Sequence, residues 1–240
     1  MPKLKKELGQ NFLKGPEIPQ KMVEYLDLQE NDLVLEIGPG DGAVTNFLIE
    51  KDAEIIAVEI DEHFAETLSK KFLNIQVINE NILEWLPQFK PEKEFKIIGS
   101  LPYYITSPIL HETIRSGASN CVFLIQKEVA RKIADKAPDA SYLSTFVQTF
   151  YDVEYLETVD RSKFKPEPNV DSAIIRLKKR ESNIEDIKKY EGFLHRGFSN
   201  PRKMLKKSLP IELLEKSEVD PNDRAQHISM EKWVELFKAQ

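Results

Sequence analysis

The sequence predicts an α/β fold: a parallel sheet covered on both faces by helices, followed by a small helical region. Three observations predict it. Short β-rich runs alternate with amphipathic helical patterns from residue 33 to residue 136. The first strand-to-helix link is the glycine-rich run GPGDG at 38–42. After Arg180 only helical patterns remain, in short pieces.

The elements follow in order. LVLEI (33–37) and EIIAVEI (54–60) read as buried strands, with AVTNFLIEK (43–51) as the helix between them. DEHFAETLSKKF (61–72) is a second helix, IQVI (75–78) a third strand and FKII (95–98) a fourth. SPILHETIRSG (107–117) carries Pro near its start and Gly at its end, as helices do. CVFLI (121–125) is a fifth strand and KEVARKIADK (127–136) the next helix. YDVEYLETV (151–159) and DSAIIRLKKR (171–180) flank a proline-rich loop, FKPEPNV, and predict an antiparallel hairpin at one edge of the sheet. IEDIKKYEGFLHRGF (184–198), PRKMLKKSL (201–209), IELLEK (211–216) and MEKWVELFKAQ (230–240) read as helices. The expected domains are 1–179 and 180–240. The second is near the size below which a core is marginal on its own.

Composition narrows the class. Of 240 residues, 41% are hydrophobic and 31% charged, ordinary for a globular protein. No apolar run approaches the roughly 18 residues of a membrane span. The start, MPKLKKELGQNFL, lacks the apolar stretch of a secretory signal. The single cysteine, Cys121, sits in an apolar run and reads as a buried hydrophobe. A reducing cytoplasm is the expected compartment, and no metal site is expected. Net charge is −6, but residues 161–207 hold 14 Lys/Arg against 6 Asp/Glu, a balance of +8 that leaves −14 elsewhere. A basic segment beside an acidic body fits a protein that meets a polyanion through one region, and equally a solvated lysine-rich surface.

Parallel sheets bind ligands beyond the carboxyl ends of their strands, so the loops after residues 37, 60, 78 and 98 carry the candidates. Gly38 and Gly40 let backbone approach a ligand. Glu59, near the end of the second strand, can accept hydrogen bonds from ribose hydroxyls. Asn81 suits either an adenine edge or a helix N-cap. These features fit a dinucleotide or an adenosine-bearing cofactor. The corner Ser100-Leu101-Pro102-Tyr103 separates the two. An adenine amine is a poor nucleophile, because its lone pair is delocalised into the ring. The Ser100 hydroxyl and the Leu101 carbonyl can accept its two N–H groups, Pro102 can fix the turn, and the Tyr103 ring can stack on an extruded base. A nicotinamide dehydrogenase has no need of such a corner.

The runs LGQNFL (8–13), EIGPGDG (36–42), VEID (58–61), SLPYYIT (100–106), LIQKEVA (124–130) and FKPEPNVDSAIIRL (164–177) stand in an order that resembles the rRNA adenine N6-dimethyltransferase family, over about residues 5–205. The resemblance implies a Rossmann-like, seven-stranded sheet dependent on S-adenosyl-L-methionine, with a small helical C-terminal domain that contacts RNA. It implies cofactor contacts from Asn11, Leu13, Gly38, Gly40, Glu59, Asn81 and Ser100. Tyr103 and Phe164 would sandwich the target adenine; by itself, Phe164 reads as a packing residue. LIQKEVA, PNVDSAIIRL and GFSNPRKMLKKSL (197–209) lean towards the small-subunit branch, with two adjacent adenines near the 3′ end of 16S rRNA as substrate, an immature small ribosomal subunit as partner, and a monomeric enzyme. Arg202, Lys203, Lys206 and Lys207 would face phosphates. Two positions depart from the family pattern: Ser100 stands where asparagine is usual, and Asn81 where aspartate is usual. A large-subunit resistance methylase and a non-catalytic ribosome-assembly factor are the alternative readings.

Overall fold

The computed structural model describes residues 11–240. The first described elements are β1 (Phe12–Leu13), α1 (Glu17–Tyr25), β2 (Asp32–Ile37), α2 (Thr45–Leu48), β3 (Ala53–Glu59), α3 (Glu62–Lys71), β4 (Gln76–Asn79) and α4 (Ile82–Trp85). They are followed by β5 (Phe95–Ser100), α5 (Thr106–Ser116), β6 (Asn120–Gln126), α6 (Lys127–Ala134) and α7 (Tyr142–Phe150). The remainder is β7 (Tyr151–Val159), β8 (Phe164–Lys165), β9 (Ser172–Lys179), α8 (Ile187–Gly197), α9 (Ile211–Lys216) and α10 (Met230–Ala239).

Seven strands form one sheet in the order β4-β3-β2-β5-β6-β9-β7. The first five pair parallel, and β9 runs antiparallel against β6. The chain steps outward from β2 through β3 to β4, then returns to place β5 on the other side of β2. That reversal opens a crevice at the carboxyl ends of β2 and β5, where such sheets take ligands. The strands read as near-continuous apolar runs because they are covered on both faces. Separately, β1 and β8 form a two-stranded antiparallel pair, with Leu13 opposite Phe164.

The chain divides into two compact units. One takes the described residues through Ala130 together with Glu154–Lys179. The other takes Arg131–Val153 as well as Arg180–Gln240. In the second unit the Phe150 ring lies edge-on to Tyr190 at 6.1 Å, and the Tyr190 hydroxyl is 2.9 Å from Thr149 Oγ1. Trp233 is fully buried against Gly197, where a Cβ would overlap its ring. Its core thus draws on α7 as well as on the last 60 residues, which fits the size needed for burial.

The structure departs from the expected elements in specific places. The helix expected over 43–51 contracts to four residues, because the glycine loop continues as a turn through Val44. Of the run 201–209 only Leu205–Lys207 is helical, as a single 3-10 turn. Leu205 N–H donates to Asp223 O and Lys206 N–H to Pro221 O, while Met204 bridges to Arg224, so these backbone groups are spent on the 221–224 loop. Helices α1 and α7 had no expected counterpart. Pro19 interrupts the α1 pattern, yet it occupies a first-turn position where its missing N–H is not needed. Helix α7 is buried from Ser144 to Phe150, its polar Thr145, Gln148 and Thr149 together with its apolar residues; a Ser141–Ser144 capping box starts it. Among the described residues no helix is long and apolar enough to cross a membrane.

Candidate active site

A cleft lies beyond the carboxyl ends of β2, β3, β4 and β5. Its walls include Gly38 and Gly40 after β2, Glu59 at the end of β3, Asn81 after β4, and the corner Ser100–Tyr103 after β5. The β1–β8 pair adds Leu13 and Phe164, and Asn11 stands just before β1. Every cofactor and base candidate named from the sequence therefore borders one cavity. Leu8, Gly9 and Gln10 of the LGQNFL run lie outside the described residues.

The glycine loop is held by backbone-to-carboxylate bonds. Gly40 has φ +56°, and its N–H donates to Glu59 Oε2 at 2.9 Å. A Cβ on Gly40 would meet the Phe12 ring at 2.9 Å, so glycine serves both the left-handed backbone and the close approach of β1. Glu59 is 5% exposed, and its Oε1 accepts the Asp61 N–H at 2.8 Å. Burial pushes its pKa up. Each carboxylate oxygen keeps a further lone pair for a ligand hydroxyl.

Glu36, which the sequence reading passed over, also lines the cleft. It is fully buried on β2, and Thr45 Oγ1 donates to its Oε2 at 2.7 Å. Burial pushes its pKa up to about 8, and the negative charges of Glu59 and Asp41 add to the effect. The signal was a lone acid inside the apolar strand LVLEI, a placement that carries a large desolvation cost unless a cation or a proton neutralises it.

At the opposite wall, β5 runs two residues beyond its expected end, and Ser100 is its last residue. The Ser100 hydroxyl makes no hydrogen bond with another protein group among the described residues. Leu101 N–H donates to Leu124 O at 3.0 Å, which fastens the corner to β6. Pro102 leads into a single tight turn, Tyr103–Ile105, and its carbonyl accepts from Ile105 N–H and Thr106 Oγ1, each at 3.2 Å. Tyr103 is half-buried, with its hydroxyl 2.8 Å from Ser172 Oγ. Tyr104 is 59% exposed at the cleft mouth.

Two candidates serve the fold as well as the cleft. Asn81 caps α4: its Oδ1 accepts the Leu83 N–H at 3.0 Å and its Nδ2 donates to Glu84. Phe164 is only 2% exposed and packs in a cluster with Leu13, Leu124 and Val159, reaching the cleft from within that core. Cys121 is buried in β6, and burial pushes its thiol pKa up. Among the described residues no group of His, Cys, Asp or Glu is arranged to hold a metal ion. Arg202, Lys203 and Lys207 are exposed in the second unit, and Lys206 donates to Asn222 Oδ1 at 2.7 Å.

A family model described as "Ribosomal RNA adenine dimethylase" matches residues 1–240. The chain belongs to that family. Among curated dimethylase-family relatives, "Ribosomal RNA small subunit methyltransferase A" of Sulfurihydrogenibium sp. (strain YO3AOP1) is 35% identical over 246 residues, covering 98% of this chain and 95% of the relative. The protein of the same name from Persephonella marina is 36% identical over 244 residues, covering 97% and 92%. Among solved structures, the 23S rRNA methyltransferase ErmE superposes with a TM-score of 0.75 at 29% identity, covering 95% of this chain and 98% of ErmE. A dimethyladenosine transferase from Plasmodium falciparum shares the fold, with a TM-score of 0.81 at 24% identity and coverage of 94% and 95%. For this dimethylase-family chain, the seven-stranded sheet is the methyltransferase sheet of its relatives.

Proposed function

We propose that this protein dimethylates N6 of two adjacent adenines near the 3′ end of 16S rRNA, using S-adenosyl-L-methionine, on immature small ribosomal subunits. The carrying observation is that the Ser100–Tyr103 corner and the glycine loop with Glu59 open on one cleft. The relatives at 35 and 36% identity, both named small subunit methyltransferases, favour the small subunit over the large one.

The residues present fit the cofactor. Asp41 and Glu59 present carboxylates to the cleft, and a cationic ligand would offset the burial that raises their pKa values. Glu59 would hold the ribose hydroxyls. Gly38, Gly40, Asn11 and Leu13 shape the walls around the adenosine and methionyl parts, and the Asn81 amide meets the adenine edge. When bound, the cofactor supplies an electrophilic methyl group on a sulfonium. Ser100 Oγ and the Leu101 carbonyl would accept the two N–H groups of the target amine in the first transfer, and one of the two would accept the single N–H that remains in the second, orienting the nitrogen lone pair. Tyr103 and Phe164 fix the plane of the extruded base. With a sulfonium as methyl donor no strong general base would be needed: the N–H proton would leave to water and the donor would leave as its neutral thioether.

Residues 1–179 carry methyl transfer and residues 180–240 carry RNA contact, with Arg202, Lys203, Lys206 and Lys207 on phosphates. The enzyme works as a monomer in the cytoplasm. Transfer of labelled methyl groups to immature small subunits, followed by nucleoside mass spectrometry with site mapping, tests the reading. Dimethyladenosine at two adjacent positions is expected; none, with cofactor bound normally, overturns it. Ser100 motivates a second reading, an assembly factor that binds RNA with little catalysis. It requires that Ser100→Ala leave subunit maturation intact, so a maturation defect that follows loss of methylation excludes it.

A further inference from the structure

Tyr103 sits on a single tight turn that leaves the sheet after Pro102, so its backbone alone does not fix the plane of its ring. The ring's far end is fastened elsewhere. Its hydroxyl lies 2.8 Å from Ser172 Oγ, a side chain 69 residues away in sequence and 1% exposed. Ser172 is itself immobilised. It is the first residue of β9, opposite Gln126 in the antiparallel ladder. The preceding residue, Asp171, accepts the Lys127 N–H through its carbonyl at 3.0 Å and the Lys127 ammonium through its carboxylate at 3.1 Å. Both Tyr103 and Ser172 line the cleft.

We infer that Ser172 is a positioning residue for methyl transfer: it sets the plane of the Tyr103 ring, and through that ring the direction of the target amine. The inference rests on the base-stacking reading of Tyr103 proposed above. A stacked base takes its orientation from the ring beneath it, and the reacting nitrogen must point along the line of transfer. A ring free to tilt at one end still binds the base but aligns it less often. The loss therefore falls on turnover rather than on binding.

Ser172→Ala and Tyr103→Phe cut the same bond from opposite ends while keeping the ring, and together they form a cycle. The assay is methyl transfer to immature small subunits at saturating RNA and cofactor, with calorimetry for S-adenosylhomocysteine and thermal melting on each variant. Each single variant is expected to lower kcat by about three- to tenfold, the range for one neutral hydrogen bond. The KM for RNA and cofactor affinity are expected to stay near wild type, melting to fall by no more than about 5 °C, and the double variant to be no slower than either single. A Ser172→Ala enzyme at the wild-type rate, a Tyr103→Phe enzyme at the wild-type rate, or losses that multiply in the double variant would each overturn the tether. An inactive wild-type protein overturns the function proposed above and the tether with it, whereas an active wild type with an unimpaired Ser172→Ala variant overturns the tether alone.

Discussion

The two walls of the cleft are built on opposite principles. The glycine-loop wall is closed on itself: Gly40 and Asp61 N–H groups grip Glu59, and Thr45 grips Glu36. The Ser100–Tyr103 wall is left open: the Ser100 hydroxyl has no protein partner among the described residues, Tyr104 faces solvent, and Tyr103 is held by one bond from a distant strand. On the proposed function the contrast has a reason: a wall that takes the same cofactor every turnover gains from being pre-formed. A wall that receives a base pulled from RNA needs unpaired acceptors, since any bond already made would have to break first.

That contrast can be broken from the closed side, where the largest effects are expected. In the folded protein Glu36 titrates at about 8, against 4.5 for a free carboxyl. The folded state then keeps a proton that the unfolded chain gives up. Its contribution to stability is full below about pH 4.5, declines as pH rises and is gone above about 8. Thermal melting of the wild type is expected to fall across that window, by on the order of a few kcal/mol in stability. Glu36→Gln, neutral at every pH, should flatten this part of the curve; an unchanged slope would place the titration elsewhere. Next, Gly40→Val forces a branched side chain into a left-handed backbone against Phe12 and is expected to cost about 2–3 kcal/mol in denaturant melts.

Changes on the open wall should spare stability and affect reaction. On the base-stacking reading proposed above, Tyr103→Ala removes a stacking face worth about 1–3 kcal/mol, so kcat/KM is expected to drop about 10- to 100-fold while calorimetry shows cofactor binding intact. The smallest effect is outside the cleft. Arg202→Ala and Lys203→Ala should each reduce the dependence of log RNA affinity on log salt by about 0.7–0.9 and leave cofactor binding unchanged.

The same contrast explains what the sequence revealed. The parallel strands were legible because covered strands read as apolar runs, and the cleft residues were legible because they sit where those runs stop. Glu36 was hidden by the same logic, since it stands inside a run rather than at its end. Helix α7 escaped because it is buried on all sides, and 201–209 misled because Leu205 and Leu209, both buried, mimic a helical face in a turn. The bond between Tyr103 and Ser172 joins residues that no local pattern connects.

The two-residue ladder between β1 and β8 has a kinetic side. Phe12 and Leu13 pair with Lys165 and Phe164, and Lys14 N–H donates to Lys163 O at 2.7 Å. These partners are made about 150 residues after the segment they bind. During synthesis the parallel strands through β6 can assemble while the wall bearing Asn11 and Leu13 still lacks its mate, and contacts of such sequence separation form late. The nascent chain therefore acquires its parallel strands before it acquires a complete cleft, and β1, the earliest made of the described strands, is among the last to find its place.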